Sequence, residues 1–285
     1  MTLRSLEVFL AVTETGSMRA AAEKLFISQP SVSGVVADLE REYGVHLFER
    51  LGKRLYITPE GKKLSSYARR MLSLNDEIDR QMGSIEDDTP LRIGATVTVG
   101  TCLISRLICG LSGAAPYVLV NNTNKIEQQL LANQLDIALV EGTVQSDELL
   151  ATPVIQDELQ LICAATHPLA TQKSISLKRL AQERLIMREH GSGTRRTLDE
   201  LFAAESLPCC IGWECNNTQA ILNAVESGLG VAILSPRLLP VGSALVAVPI
   251  AGHRTRRSFS LVIHKDKFVT AKLQAFIDLC KAWEP

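Results

Sequence analysis

The stretch RAAAEKLFISQPSVSGVVADLEREYG, residues 19–44, decides how the rest of the chain is read. Its spacing predicts two short helices around a sharp turn. Ser17, just upstream, can cap the first helix, which runs through Ala20, Ala21, Ala22 and Leu25; Phe26 and Ile27 make the turn. Ser28 caps the second helix, and Pro30 falls in its first turn, where a missing N–H costs least. Val32, Val36 and Leu39 follow at i, i+4 and i+7, which buries one face, while Ser31, Ser33, Gly34, Ala37 and Asp38 fall on the others. Two helices joined this tightly, with alanines at the crossing, form a helix-turn-helix, whose second helix can enter a DNA major groove. A plain helical hairpin in a larger helical domain shares the local pattern, so the flanking segments must decide.

Upstream, Thr2 can cap a helix with Leu6, Phe9, Leu10 and Val12 on its apolar positions, ended by Gly16. Downstream, Leu47–Arg50 and Leu55–Thr58 read as two short strands around Leu51-Gly52-Lys53, a hairpin that would form a wing carrying Arg50, Lys53 and Arg54. Residues 50–70 hold seven basic side chains against Glu60 alone, whereas residues 71–89 hold Arg80 against six acids. A basic cluster beside a helix-turn-helix is the electrostatic footprint of phosphate binding.

Thr58-Pro59-Glu60 is a helix start, with a cap, a proline and an acid in the first turn. The helix it opens reaches to about Ile85. Leu64, Ala68, Met71, Asn75, Ile78, Met82 and Ile85 follow alternating steps of four and three, a heptad seam with one polar member. A lone helix has nothing to cover such a stripe. The seam is expected to dimerise, with Asn75 setting register; the alternative is packing on the chain's own C-terminal domain. SIEDDTP, residues 84–90, reads as a linker.

The chain of 285 residues is long enough for two domains. With 46% hydrophobic and 21% charged residues it falls among ordinary globular proteins and outside the disordered class. No apolar run reaches membrane-spanning length, and the N-terminal residues lack a signal peptide's pattern, so a cytoplasmic location is expected. Seven cysteines, odd in number and irregular in spacing, fit a reducing compartment.

From Leu91 the pattern changes to strand Leu91–Ala95, helix Gly100–Leu111, strand Tyr117–Asn121, helix Asn124–Asn133 and strand Leu135–Val140, hence a parallel sheet with helices on both faces. A second α/β unit follows from Leu159, with strands at Leu245–Pro249 and Ser258–His264 and a last helix Thr270–Trp283. Two similar halves suggest two lobes with a ligand cleft at the strand ends.

The N-terminal run LEVFLAVTETGSMRAAAEKLFISQPSVSGVVADLEREYGVHLFERLGKRLYITPEG resembles that of the LysR-type transcriptional regulators, with S-Q-P-S-V-S and L-F-E-R…T-P-E-G as the specific parts. LDIALVEG and AVESGLGVAILS match the family's effector domain, and NNTNKIEQQLLANQLDIALVEG with GSGTRR looks most like the Calvin-cycle and sulfur-assimilation branch. The resemblance implies an α/β protein with an N-terminal all-α-plus-wing module: a winged helix-turn-helix over 1–58, a linker or dimerisation helix over 59–88, and a two-lobed effector domain like a periplasmic binding protein over 91–285. Its topology puts lobe I at 91–161 and 265–285 and lobe II at 162–264. The partners implied are double-stranded DNA, a small effector, and other copies in homodimers or homotetramers, with RNA polymerase admitted as a further partner; neither a membrane nor a cofactor is called for.

The DNA-contacting set on this reading is Arg19, Ser28, Gln29, Pro30, Ser31 and Ser33, with Arg50, Lys53 and Arg54 on the wing. Family members often carry bases on the exposed face of the recognition helix, but residues 29–40 contain none. Base readout then rests on Gln29, Ser31 and Ser33, and the wing supplies charge. For the effector, three loops at strand ends offer hydroxyls and free backbone N–H groups at helix N-termini, which attract small anions. The set is Thr96, Val97 and Thr98; Gly142; Ser192, Gly193 and Thr194; and Thr218. Each loop could equally be a tight turn with a helix cap.

Two rivals can be weighed. Cys209, Cys210 and Cys215 cluster where the family's peroxide sensors keep a redox pair, yet near cysteines on a strand are most simply small buried hydrophobes, and no companion histidine makes a zinc set. An enzyme is disfavoured: there is no nucleophile elbow, no HExxH and no Walker loop, and Glu189 and His190 are neighbours on a strand-to-loop segment that point to different faces.

Overall fold

In the computed structural model of the chain, which describes residues 1–51, 54–82, 90–252 and 255–283, the N-terminal helices begin and end where local chemistry directs. The side chains of residues 50, 51, 54, 73, 76, 77 and 79–82 also lie outside the description. Helix α1 spans Leu3–Thr15; Thr2 accepts from Ser5 N while Ser5 accepts from Thr2 N, and Gly16 closes it at φ 64°. Helix α2, Met18–Leu25, is capped by Ser17. Helix α3, Gln29–Tyr43, is capped by Ser28 and closed by Gly44 at φ 67°. Val8, Val12, Ala21, Ala22, Val32 and Val36 form the shared core, and the small alanines let α2 and α3 approach.

Strands β1 (Phe48–Leu51) and β2 (Arg54–Ile57) pair antiparallel as the wing. Glu40 of α3 anchors it, accepting from Leu47 N at 2.7 Å and Phe48 N at 3.4 Å. Thr58 caps helix α4 (Pro59–Met82) by accepting from Gly61 N at 2.9 Å. Further along α4, Arg69 meets Glu14 at 3.0 Å, and Glu14 also meets Lys24 at 2.8 Å. Arg69, counted from sequence in the basic cluster, is thus neutralised within its own module.

The seam on α4 needs correction. Ala68 is fully buried, and Leu64 and Leu72 pack beside it against Leu6, Phe9, Leu10 and Leu47. Ala68 therefore belongs to the module's own core, and Leu64 is half-buried against it. Met71 and Ile78 are exposed, but their exposed companions are Tyr67 and Leu74. The open stripe runs 67, 71, 74, 78, again in heptad steps, with Asn75 half-buried to one side. The Met82 side chain, Ile85 and the linker at 84–89 lie outside the described residues.

The larger unit, from Thr89 onward, holds one five-stranded sheet and, among the described residues, three smaller ones. The first contains β3 (Arg92–Thr96), β4 (Tyr117–Asn121), β5 (Ile137–Glu141), β6 (Leu149–Glu158) and β14 (Arg256–His264) in the order β4-β3-β5-β14-β6. Helices α5 (Val97–Cys102), α6 (Ile104–Ile108), α7 (Thr123–Leu131) and α11 (Ala271–Lys281) connect and cover it. Leu103 breaks what was expected as one helix, Gly100–Leu111, into α5 and α6.

The second lobe contains β7 (Gln160–Ala164), β8 (Ile175–Ser176), α8 (Leu177–Leu180), β9 (Leu185–Arg188), α9 (Gly193–Ala204), β10 (Ile211–Cys215), α10 (Thr218–Glu226), β11 (Ala232–Leu234), β12 (Leu245–Val248) and β13 (Ile250–Ala251). β11, β7 and β12 form one ladder, β10 and β9 another, and a parallel bridge between Leu185 and Val231 joins them.

Two expectations about the lobes fail here. The strand around residues 256–264, assigned to lobe II, lies in the first sheet, antiparallel to both β5 and β6, so that sheet is mixed rather than parallel. The chain crosses between lobes near Leu159 and again near Thr255, and residues 160–161 belong with lobe II. The ten-residue β6 was not foreseen, because LLATPVIQDE carries a proline and acids and, lying at a sheet edge, need not be apolar on both faces.

Candidate functional site

The DNA-reading face expected of the first unit is laid out by the caps. Ser28, Gln29, Pro30 and Ser31 are all exposed on the first turn of α3, and Ser33 is half-buried one turn on. The Ser28 and Ser31 hydroxyls lie 2.7 Å apart, and Gln29 Nε2 donates to Ser33 Oγ at 3.2 Å. Arg19, on α2, is exposed and ion-pairs with Glu23 at 3.0 Å. On the wing, Arg50 and Arg54 occupy β1 and β2, but their side chains, and Lys53 altogether, lie outside the described residues.

In the second unit a cleft of about 750 Å³ separates the lobes. Val97, Thr101, Val120, Asn121, Asn122 and Lys125 line it from the first lobe; Glu189, His190, Asn216, Asn217, Thr218 and Gln219 face them. Of the eight residues expected to bind an effector, Val97 and Thr218 line this cavity.

Of the other six, Gly142, Gly193 and Thr194 meet across the seam between the lobes. Gly193 N donates to Thr123 Oγ1 at 3.1 Å, and Thr123 Oγ1 donates to the Glu141 carbonyl at 3.2 Å. A side chain at Gly193 would run into that carbonyl, so only glycine fits this crossing. Gly142 packs against Gly193. Thr96 accepts from Glu141 N at 3.2 Å, and Thr98 is buried close by in the chain. Ser192 is buried, and its hydroxyl has no hydrogen-bond partner among the described residues. Thr218 Oγ1 is likewise buried and unpartnered.

Thr194 is different, because its hydroxyl is already engaged. It donates to Glu141 Oε1 at 3.2 Å and accepts from Arg257 Nη1 at 2.8 Å. Arg257 also donates from Nε to Asp157 Oδ2 at 2.7 Å and lies 3.3 Å from Glu141 Oε2, and Ser235 donates to Asp157 Oδ1 at 2.6 Å. Arg188, 1% exposed, forks onto Glu189 at 2.9 and 3.1 Å while its Nη1 remains unpartnered, 4.0 Å from Glu141. Charges this deep persist only when paired, so the cluster is held as a unit. None of Glu141, Asp157, Arg188, Ser235 or Arg257 was picked out from the sequence. The available signal was a charged residue ending an apolar strand, in IALVE and LIMR.

Of the three clustered thiols, Cys209 is the one held in the lobe core. Burial, with Asp199 adding to it, raises the Cys209 thiol, whose Sγ sits 3.4 Å from Met187 Sδ in the lobe core. A raised pKa keeps a thiol protonated and unreactive. Cys210 is exposed, and Cys215 accepts from Asn217 N at 3.3 Å. Among the described residues no group of three His, Cys, Asp or Glu is placed to hold a metal ion, and no helix is long and apolar enough to cross a membrane.

Comparison with known proteins agrees with this layout. Residues 3–62 match the family described as bacterial regulatory helix-turn-helix protein, lysR family, and residues 86–284 match the LysR substrate binding domain. The transcriptional regulator YeiE of Escherichia coli is 35% identical over 98% of this chain and 97% of its own. The activator CmpR of Synechocystis is 32% identical over 97% and 94%, and the RuBisCO operon regulator of Allochromatium vinosum 33% identical over 97% and 94%. These relatives are regulators and not enzymes, and the last two bear out the likeness to the Calvin-cycle branch. Full-length OxyR from Pseudomonas aeruginosa superposes with a TM-score of 0.75 at 23% identity, over 99% of this chain and 95% of that one. The Synechocystis CcmR regulatory domain, solved in complex with 2-PG, gives 0.63 at 26% identity over 68% of this chain and 96% of that one. The chain belongs to the LysR family: a DNA-binding transcriptional regulator with a winged helix-turn-helix and a two-lobed effector-binding domain.

Proposed function

We propose that this regulator answers to a small anionic effector held in the cleft between its two lobes. The observation that carries this is the buried, unpartnered hydroxyl of Thr218, in the cleft wall at the start of α10; Ser192 Oγ, the residue before α9, is a second buried hydroxyl without a partner among the described residues, though it does not line the cavity. Helix N-termini of this length present free N–H groups and the positive end of a dipole, and a buried hydroxyl without a partner is costly unless something supplies one. Lys125 adds a cation on the opposite wall. The 2-PG bound by CcmR, an anion, supports the same class of ligand.

A thermal-shift screen of the full chain against 2-PG, inorganic phosphate, sulfate and short carboxylates tests it. An effector present at a hundred times its Kd stabilises the folded state by about 2.7 kcal/mol. Ser192→Ala and Thr218→Ala are expected to lose the shift. A ligand whose shift survives both replacements, or that is neutral, would sink this reading.

On the DNA side, Gln29 and Ser33 are proposed as base readers and Arg50, Lys53 and Arg54 as phosphate contacts, in a homodimer joined through α4 that works in the cytoplasm. Whether two dimers pair into a tetramer depends on surfaces of the second unit.

A further inference from the structure

We propose that Phe26 is a specificity-determining residue of this regulator, making an apolar contact to a thymine C5-methyl group beside the bases read by α3. Phe26 ends α2 in the left-handed conformation, φ 55° and ψ 40°, and is 96% exposed. Both facts are unfavourable for phenylalanine. The left-handed region costs a residue with a Cβ about 1–2 kcal/mol relative to glycine, and a bare phenyl ring in water gains nothing from burial.

The same module shows what is used where conformation alone matters: α1 and α3 end in the same left-handed geometry on Gly16 and Gly44. The other described non-glycine residues at positive φ are Asn133 and Ser206, small and polar. A large apolar side chain at Phe26 serves neither the turn nor the core. Its neighbours Leu25 and Ile27 supply the core contact, packing half-buried against Val8, Ala21 and Val32. Violations of local preference that no internal gain explains mark functional positions.

The occupant is DNA, because the ring is continuous with the DNA-reading surface. Ser28, two residues on, caps α3, and Gln29, Pro30 and Ser31 are exposed immediately after it. The first turn of a recognition helix is the part that meets base edges. The apolar group offered by the major groove is the thymine methyl, and aromatic or aliphatic side chains read it by contact. A recognition helix with no basic residue from Gln29 to Glu40 gains discrimination from such a contact.

The test uses the full-length protein. Duplexes enriched from a randomised pool define the preferred site, and each thymine in it is then replaced by deoxyuridine, which removes only the methyl. Wild type is expected to lose about fourfold in affinity at one thymine per half-site, the worth of one buried methyl. F26G is expected to bind the thymine and deoxyuridine duplexes equally at that position, while its melting temperature equals or exceeds that of wild type. A wild type indifferent to every replacement overturns the proposal. So does an F26G protein that keeps the wild-type methyl profile, or one that melts lower, since the ring would then be structural.

Discussion

Arg257 Nη1 donates to Thr194 Oγ1 at 2.8 Å, tying the strand that re-enters the first lobe to the first turn of α9 in the second. Directly opposite Arg257 in the β14–β6 ladder stands Asp157, on the strand that leaves the first lobe. Both crossover strands and both lobes thus meet at one buried ion cluster, and any rotation of lobe II about the crossovers must stretch the bond to Thr194.

Replacing Thr194 with valine keeps the volume and removes the bridge between Arg257 and Glu141. Two buried charged groups lose a partner, at about 1–3 kcal/mol. Thermal unfolding of the full chain is expected to show the second unit melting roughly 2–9 °C lower. An unchanged transition would mean that the cluster is indifferent to Thr194.

Asp136 supplies a pH dependence. Burial alone would raise its pKa, but Arg92, at 2.6 Å through Nη2, and Lys267, at 2.8 Å, bring it down from 3.8 to about 2. A folded pKa below the unfolded one means that the stabilisation is complete above about pH 4 and is lost as pH falls towards 2. The gap corresponds to about 2 kcal/mol. Asp136→Asn is expected to be less stable than wild type at pH 7 by at least that amount, with the difference shrinking between pH 4 and pH 2. Denaturant titrations of both proteins across that window check it.

The open stripe on α4 separates association from folding. Leu74→Glu is expected to yield a monomer in sedimentation analysis with the winged module still folded, because Leu74 is exposed there. Ala68→Glu is expected to unfold the module itself, since it places a carboxylate against Leu6 and Phe9. A Leu74→Glu dimer as tight as wild type would remove α4 from the interface.

Gly34 lies on the exposed side of α3 with open space around its Cα. Alanine there should raise the stability of the module by up to about 1 kcal/mol through helix propensity alone. Differential scanning calorimetry of Gly34→Ala against wild type reads it; a lower melting temperature would show that the helix relies on glycine for its path.

Much of the first unit was legible in advance because its information is local. Thr2, Ser17, Ser28 and Thr58 cap the helices they precede, and Gly16 and Gly44 close them, through bonds spanning a few residues. Most strands and helices of the second unit, the edge strand β6 excepted, also announced themselves by period and punctuation, and their family by short motifs. Periodicity showed that α4 carries apolar stripes, but α1 decides which stripe is covered: Leu64 and Ala68 turn inward, whereas Tyr67 and Leu74 stay open. The buried ion cluster where the lobes meet was hidden for the same reason. Glu141, Asp157, Thr194 and Arg257 belong to four separate segments, and nothing about any of them alone says which charge it will meet. Pairing of β14 with both β5 and β6 makes the three charged residues neighbours, α9 of the other lobe brings Thr194 to them, and burial then requires that they satisfy one another. Local bonds can be read along the chain, whereas partners across a sheet exist only once the strands have taken their order.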